Sequence, residues 1–82
     1  MVDVIFTKEF QLIFSKIKDS LFKEKIIKQL KKIKENPEIG KPMRHDRKGT
    51  REVYVKPFRL SYSFDTPNNV IYILDLYHKK KQ

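Results

Sequence analysis

The 82-residue chain has no cysteine, which rules out a disulfide framework and a thiolate metal site. Histidine is nearly as scarce. His45 and His78 stand far apart in sequence without companions at ligand spacing, so neither a metal nor any other cofactor is expected. No apolar run is long enough to cross a bilayer, and the opening Met1-Val2-Asp3-Val4-Ile5-Phe6-Thr7-Lys8 carries an early acid. It reads as neither a signal peptide nor a membrane span, so the cytoplasm is the expected compartment and no membrane partner is expected. There is also no internal repeat, linker or low-complexity tract, and the length leaves room for one domain, 1–82. Acidic residues are in deficit, 10 against 19 basic ones, for a net charge of +9. Such a field attracts phosphate backbones, anionic membranes or acidic proteins, and says nothing about fold.

What the chain does have is patterned apolar sequence, at 39 % of residues, which argues against disorder. A chain this short buries only about 60–65 % of its unfolded surface, so modest stability and dependence on a partner are expected. Val2 to Phe6 reads as an opening strand, with Val2, Val4 and Phe6 on one face, and Thr7 offers a hydroxyl to cap a helix. Phe10, Ile13, Phe14, Ile17 and Leu21 recur at helical spacing. Asp19-Ser20 interrupts them and can cap a second helix, whose stripe is Phe22, Ile26, Ile27, Leu30 and Ile33. Lysines cover much of its remainder, and Asn36-Pro37 stops it. The two helices predict an antiparallel hairpin whose apolar stripes are core rather than a binding groove.

A charged loop rich in breakers, Pro37 to Lys48, leads to two short strands meeting near Pro57. In the first, Val53 and Val55 alternate with Glu52, Tyr54 and Lys56. In the second, Phe58, Leu60, Tyr62 and Phe64 alternate with Arg59, Ser61 and Ser63. The polar face therefore gathers a carboxylate, a phenol, an ammonium and a guanidinium on rigid elements. Asp65-Thr66-Pro67-Asn68-Asn69 is the strongest turn signal. Val70 to Leu76 is apolar on both faces apart from Asp75, which predicts a strand inside the sheet. The expected fold is α+β: an N-terminal strand and a two-helix antiparallel hairpin packed on one face of an antiparallel sheet of about four strands.

Three sets of residues carry a resemblance to a known group: Asn36-Pro37 with Gly40-Lys41-Pro42-Met43; then Gly49, Arg51, Val55, Phe58-Arg59 and Tyr62; then His78-Lys79-Lys80. In this order and spacing, over nearly the whole chain, they resemble the RelE/ParE superfamily of bacterial and archaeal toxins. Phe58 stands where that family usually has Tyr, and Glu52 and Tyr54 stand where many members carry basic residues. The resemblance implies a RelE-like fold and the toxin of a type II toxin–antitoxin system. It implies a ribosome-dependent, metal-independent endonuclease that cuts messenger RNA by 2′-hydroxyl attack and so inhibits translation. The implied partners are the ribosome, messenger RNA and an acidic RelB-like antitoxin, the last in a heterotetramer.

Cleaving RNA without a metal needs a base for the 2′-hydroxyl, cations for the phosphorane and an acid for the departing 5′-oxygen. Arg59 is the foremost phosphate ligand, since its planar fork suits bidentate binding, although an ion pair with Glu52 also explains it. Lys56 adds positive charge or is a solvated turn residue. Glu52 and His78 are the acid–base candidates; each has a plainer reading, in charge balance or in closing the last strand. Tyr54 donates a proton, stacks on a base or packs across strands. Arg51, Arg44, His45, Arg47, Lys48, Lys79 and Lys80 are the candidate RNA contacts, with Arg51 alternatively bonding to the sheet edge or loop. Two other functions remain open: a ParE-like topoisomerase-poisoning toxin, and a non-catalytic basic RNA- or ribosome-binding module.

Overall fold

The computed structural model describes residues 2–78. Strand β1 (Asp3–Phe6) gives way at Thr7 to helix α1 (Lys8–Ser15). The Thr7 hydroxyl accepts the Phe10 N–H at 3.3 Å and sits 2.8 Å from the Ile73 carbonyl oxygen, to which it donates. One side chain thus starts the helix and ties it to the last strand. Asp19 caps α2 (Ser20–Glu35) in the same manner, its Oδ1 accepting from the N–H groups of Leu21 and Phe22. The helix stops at Asn36, where Pro37 forbids another helical residue.

The sheet has five strands in the order β1-β5-β4-β3-β2, with β2 at Lys41–Pro42, β3 at Arg51–Val55, β4 at Phe58–Asp65 and β5 at Val70–His78. Two expectations are corrected here. The count is five, because two residues of the charged loop pair with Arg51 and Glu52, a stretch too short to show periodicity. The sheet is mixed, because β1 runs parallel to β5 while every other pair is antiparallel. A parallel neighbour needs a long crossover, and the two helices supply it. The last strand does lie inside the sheet, as its two apolar faces require.

Both helices cover one face. Phe10 of α1 and Ile26 and Ile33 of α2 pack with Val55, Leu60, Tyr62, Ile71, Ile73 and Leu76. A register shift between Ser61 and Tyr62 adds a residue to β5, so the inward set changes from Ile71 and Ile73 to Leu76 and His78. Not all of the helical stripes are core. Leu21, in the first turn of α2, is 68 % exposed, and Ile27 is 42 % exposed. Phe6, Phe10, Phe14, Ile27 and Leu30 instead line an open apolar groove of about 480 Å³ between the helices. None of the helices among the described residues is long and apolar enough to cross a membrane.

The loop between α2 and β3 is held from inside. Tyr62 is fully buried, and its hydroxyl donates to the Pro37 carbonyl at 2.8 Å while accepting the Gly40 N–H at 2.8 Å. Burial holds this phenol above its ordinary value, offset in part by the Gly40 N–H and the Arg51 charge. The Arg51 guanidinium closes the clamp by donating to the carbonyls of Glu38 at 3.0 Å and Gly40 at 2.8 Å.

Candidate functional site

The face of the sheet away from the helices carries the polar residues that alternation assigns to it. Register sets Tyr54 of β3 opposite Arg59 of β4, and Arg59 opposite Tyr77 of β5, a row across three strands. Glu52 lies opposite Ser61 in the next row, with Asp75 on the far side of Ser61. These side chains close into one network. Arg59 Nη1 is 3.4 Å from Glu52 Oε1, and its Nη2 donates to the Tyr54 hydroxyl at 2.9 Å. The guanidinium also lies over the Tyr54 ring, 5.1 Å from its centroid. Tyr77 donates its phenol proton to Glu52 Oε2.

A second arginine reaches in from the loop. Arg47 ends a single 3-10 turn (His45–Arg47), and its Nη1 stands 3.6 Å from Glu52 Oε2. Its guanidinium lies over the Tyr77 ring at 4.5 Å. Each arginine thus faces one oxygen of the same carboxylate and rests on a tyrosine ring. The covering side chains leave Glu52 only 6 % exposed, although it belongs to the open face. Beside it, an open hollow of about 350 Å³ is lined by Ile39, Lys41, Met43, Glu52, Val53, Tyr54 and Arg59. With a charged fork at its wall and an exposed phenol at its rim, the hollow suits an anionic ligand bearing several oxygens.

Of the residues singled out from sequence, Glu52, Tyr54 and Arg59 converge here, and Arg47 joins them. Lys56 is exposed in the turn between β3 and β4, one residue past Val55. Arg44, His45 and Lys48 are exposed along the loop that carries Arg47. Two residues stand elsewhere. His78 pairs with Phe58, and its ring meets that of Phe58 edge-on at 5.3 Å, while Phe58 packs on Phe22 of α2 at 5.1 Å. The imidazole therefore faces the helices, on the side of the sheet opposite Arg59, because the added residue in β5 sets Tyr77 rather than His78 outward. Arg51 is the other, its guanidinium spent on the carbonyls of Glu38 and Gly40. Lys79 and Lys80 lie outside the described residues.

Sequence reading missed Tyr77 as a member of the site. Local alternation could not supply it: counted on from Ile71 and Ile73 it turns Tyr77 inward, and only the added residue in β5 turns it out. Among the described residues no group of three or more His, Asp or Glu side chains is placed to hold a metal ion.

Comparison with known proteins agrees with this architecture. The chain is similar to the toxin–antitoxin complex RelBE of Mycobacterium tuberculosis, at 23 % identity and TM-score 0.80, over 95 % of this chain and 98 % of that one. The isolated RelE toxin of E. coli gives TM-score 0.81 at 15 % identity, over 100 % and 88 % of the two chains. The archaeal RelE–RelB complex of Pyrococcus horikoshii gives 0.78 at 15 %, over 99 % and 98 %. At these identities the likeness establishes the fold, an α+β arrangement of two helices on a mixed five-stranded sheet. No curated protein matches the chain. A family model for the ParE toxin of type II toxin–antitoxin systems matches residues 4–82. The chain is a member of that toxin family, within the RelE/ParE superfamily.

Proposed function

We propose that this toxin is a ribosome-dependent endoribonuclease that cuts messenger RNA, with the scissile phosphodiester bound at Arg59. The observation that carries the proposal is the network on the open face: a guanidinium bonded to Glu52 and to the exposed phenol of Tyr54, beside an open hollow of about 350 Å³. In the reaction the 2′-hydroxyl gives up its proton as its oxygen bonds to the adjacent phosphorus; the P–O5′ bond breaks, leaving a 2′,3′-cyclic phosphate, and the departing 5′-oxygen takes up a proton, so no net proton is consumed. Arg59 answers the charge that builds on the phosphorane oxygens. Tyr54 is 53 % exposed with its hydroxyl beside that guanidinium, so it is the phenol in reach of a proton at the scissile bond. Both oxygens of Glu52 are engaged by Arg59, Arg47 and Tyr77, which makes it the organiser of the cations rather than the base. Lys56, Arg44 and Lys48 add positive charge along the path of the RNA backbone, and His45 stands beside them as a polar contact. His78 takes no part in this scheme, because the sheet lies between it and Arg59.

The partner we propose is an acidic antitoxin, assembled with the toxin as a heterotetramer. The net charge of +9 and the apolar groove between α1 and α2 support it, since one amphipathic acidic helix satisfies both. The matching family is defined on ParE, which favours a second reading, a ParE-like toxin that poisons a topoisomerase by binding it. One experiment separates the two. The protein is induced in a translating extract, message ends are mapped by primer extension, and plasmid supercoiling is followed in parallel. Codon-phased cuts that Arg59→Ala reduces to a weak but measurable residue support the ribonuclease. Intact messages with arrested supercoiling overturn it in favour of the second reading.

A further inference from the structure

We infer that Tyr77 is a positioning residue of this site, acting through Glu52, and that Arg47 is the second arm of a two-guanidinium cradle for the phosphodiester oxygens of RNA. The inference deepens the proposed function and rests on it. Two cations held beside one another repel, and a carboxylate between them removes that cost while setting both forks at one distance from a common point. Glu52 does this with a separate oxygen for each, at 3.4 Å from Arg59 and 3.6 Å from Arg47. A carboxylate left to itself turns about its side-chain bonds. The Tyr77 hydroxyl, arriving from β5 while Glu52 belongs to β3, occupies Oε2 and ties the group across the width of β4.

The same tyrosine supplies the ring on which Arg47 rests, so a single residue restrains both arms. Their exposures divide the labour. The Arg59 side chain is 19 % exposed and rooted in the central strand, fit to hold a developing charge in one place. The Arg47 side chain is 42 % exposed and rooted in a loop, fit to capture the incoming backbone. In a chain with 19 basic residues, positive charge is not what sets this face apart. Preorganisation is, because a cation that need not reorient at the transition state contributes far more than a mobile one.

The test is a double-mutant cycle. Tyr77→Phe keeps the ring under Arg47 and removes only the hydroxyl, and its urea midpoint reports whether the fold is intact. Cleavage on programmed ribosomes is expected to slow by about 10- to 100-fold at saturation with KM nearly unchanged. In the Arg59→Ala background the same change is expected to have no further effect, since Tyr77 acts through the missing group. Arg47→Ala is expected to raise KM several-fold and leave the saturated rate nearly as it was. Equal slowing by Tyr77→Phe with and without Arg59 overturns the inference, as does a Tyr77→Phe enzyme of unchanged rate. Binding of an uncleavable 2′-O-methyl RNA oligonucleotide supplies the readout that separates failures. If no protein in the series cleaves, the ribonuclease reading falls. The cradle then stands if Tyr77→Phe weakens binding only when Arg59 is present, and falls if binding is unchanged or weakened equally.

Discussion

Replacing Gly40 by alanine probes the clamp that holds the loop beneath the site. A Cβ built on Gly40 falls 2.6 Å from the Tyr62 hydroxyl oxygen, 2.7 Å from Cε1 and 3.0 Å from Cζ. Neither side can yield cheaply. Tyr62 is fully buried, and its hydroxyl is bonded to both Pro37 and Gly40, so moving the ring breaks the contacts it makes. Overpacking of this kind costs about 1–3 kcal/mol. Losing the Gly40 N–H bond adds about 1 kcal/mol. The smaller entropy of alanine in the unfolded chain returns about 0.4–1 kcal/mol. The sum is a loss of about 2 kcal/mol, which in a domain of this size lowers the melting temperature by about 8–16 °C. Urea unfolding followed by circular dichroism, at fixed pH and salt, measures it. A Gly40→Ala protein within about 0.5 kcal/mol of the parent would refute the reasoning, because the close approach of ring and backbone would then carry no constraint.

Arg51→Ala is expected to cost about 1–2 kcal/mol by the same urea assay while leaving RNA affinity unchanged, since its guanidinium serves the carbonyls of Glu38 and Gly40. Weakened RNA binding at unchanged stability would return Arg51 to the RNA contacts. Stability is also expected to fall as pH rises through the phenol range. Burial raises the Tyr62 value in the folded state, so above the unfolded value the unfolded chain releases its proton first and gains on the folded one. Tyr62→Phe, less stable at neutral pH, is expected to show a shallower alkaline slope, and identical slopes would remove Tyr62 as the cause. Ile27→Asp places a negative charge in the apolar groove between the helices, and antitoxin affinity measured by calorimetry is expected to fall at least 10-fold. Unchanged affinity would locate the antitoxin elsewhere.

Local signals were legible in the sequence, and non-local ones were not. Thr7, Asp19 and Asn36-Pro37 set the helix ends because capping and proline sterics act within a few residues. Alternation along β3 and β4 brought Glu52, Tyr54 and Arg59 together because period two is a property of one strand. The parallel pairing of β1 with β5 depends on residues almost seventy positions apart, and no local pattern encodes it. The extra residue in β5 had the largest effect on the site. Without it, simple alternation along an apolar strand gives no ground for preferring Tyr77 over His78, and family likeness drew attention to the histidine. Arg51 shows the same limit. It was recognisable as a motif residue, yet whether a guanidinium meets RNA or two carbonyls depends on where a loop folds back. Burial of Glu52 on the wet face was equally out of reach, because it comes from Arg47, in the irregular loop that leads into β3, and from Tyr77, two strands away.

RNA is expected to meet the open face of the sheet at Arg59. Titrating the labelled protein with an uncleavable 2′-O-methyl RNA oligonucleotide, while recording arginine side-chain N–H and histidine ring resonances by NMR, tests it most directly. The Arg59 and Arg47 signals are expected to shift together and saturate at one concentration, with the His78 ring unmoved behind the sheet. Shifts confined to His78 and the lysines of α2, with Arg59 unmoved, would contradict it.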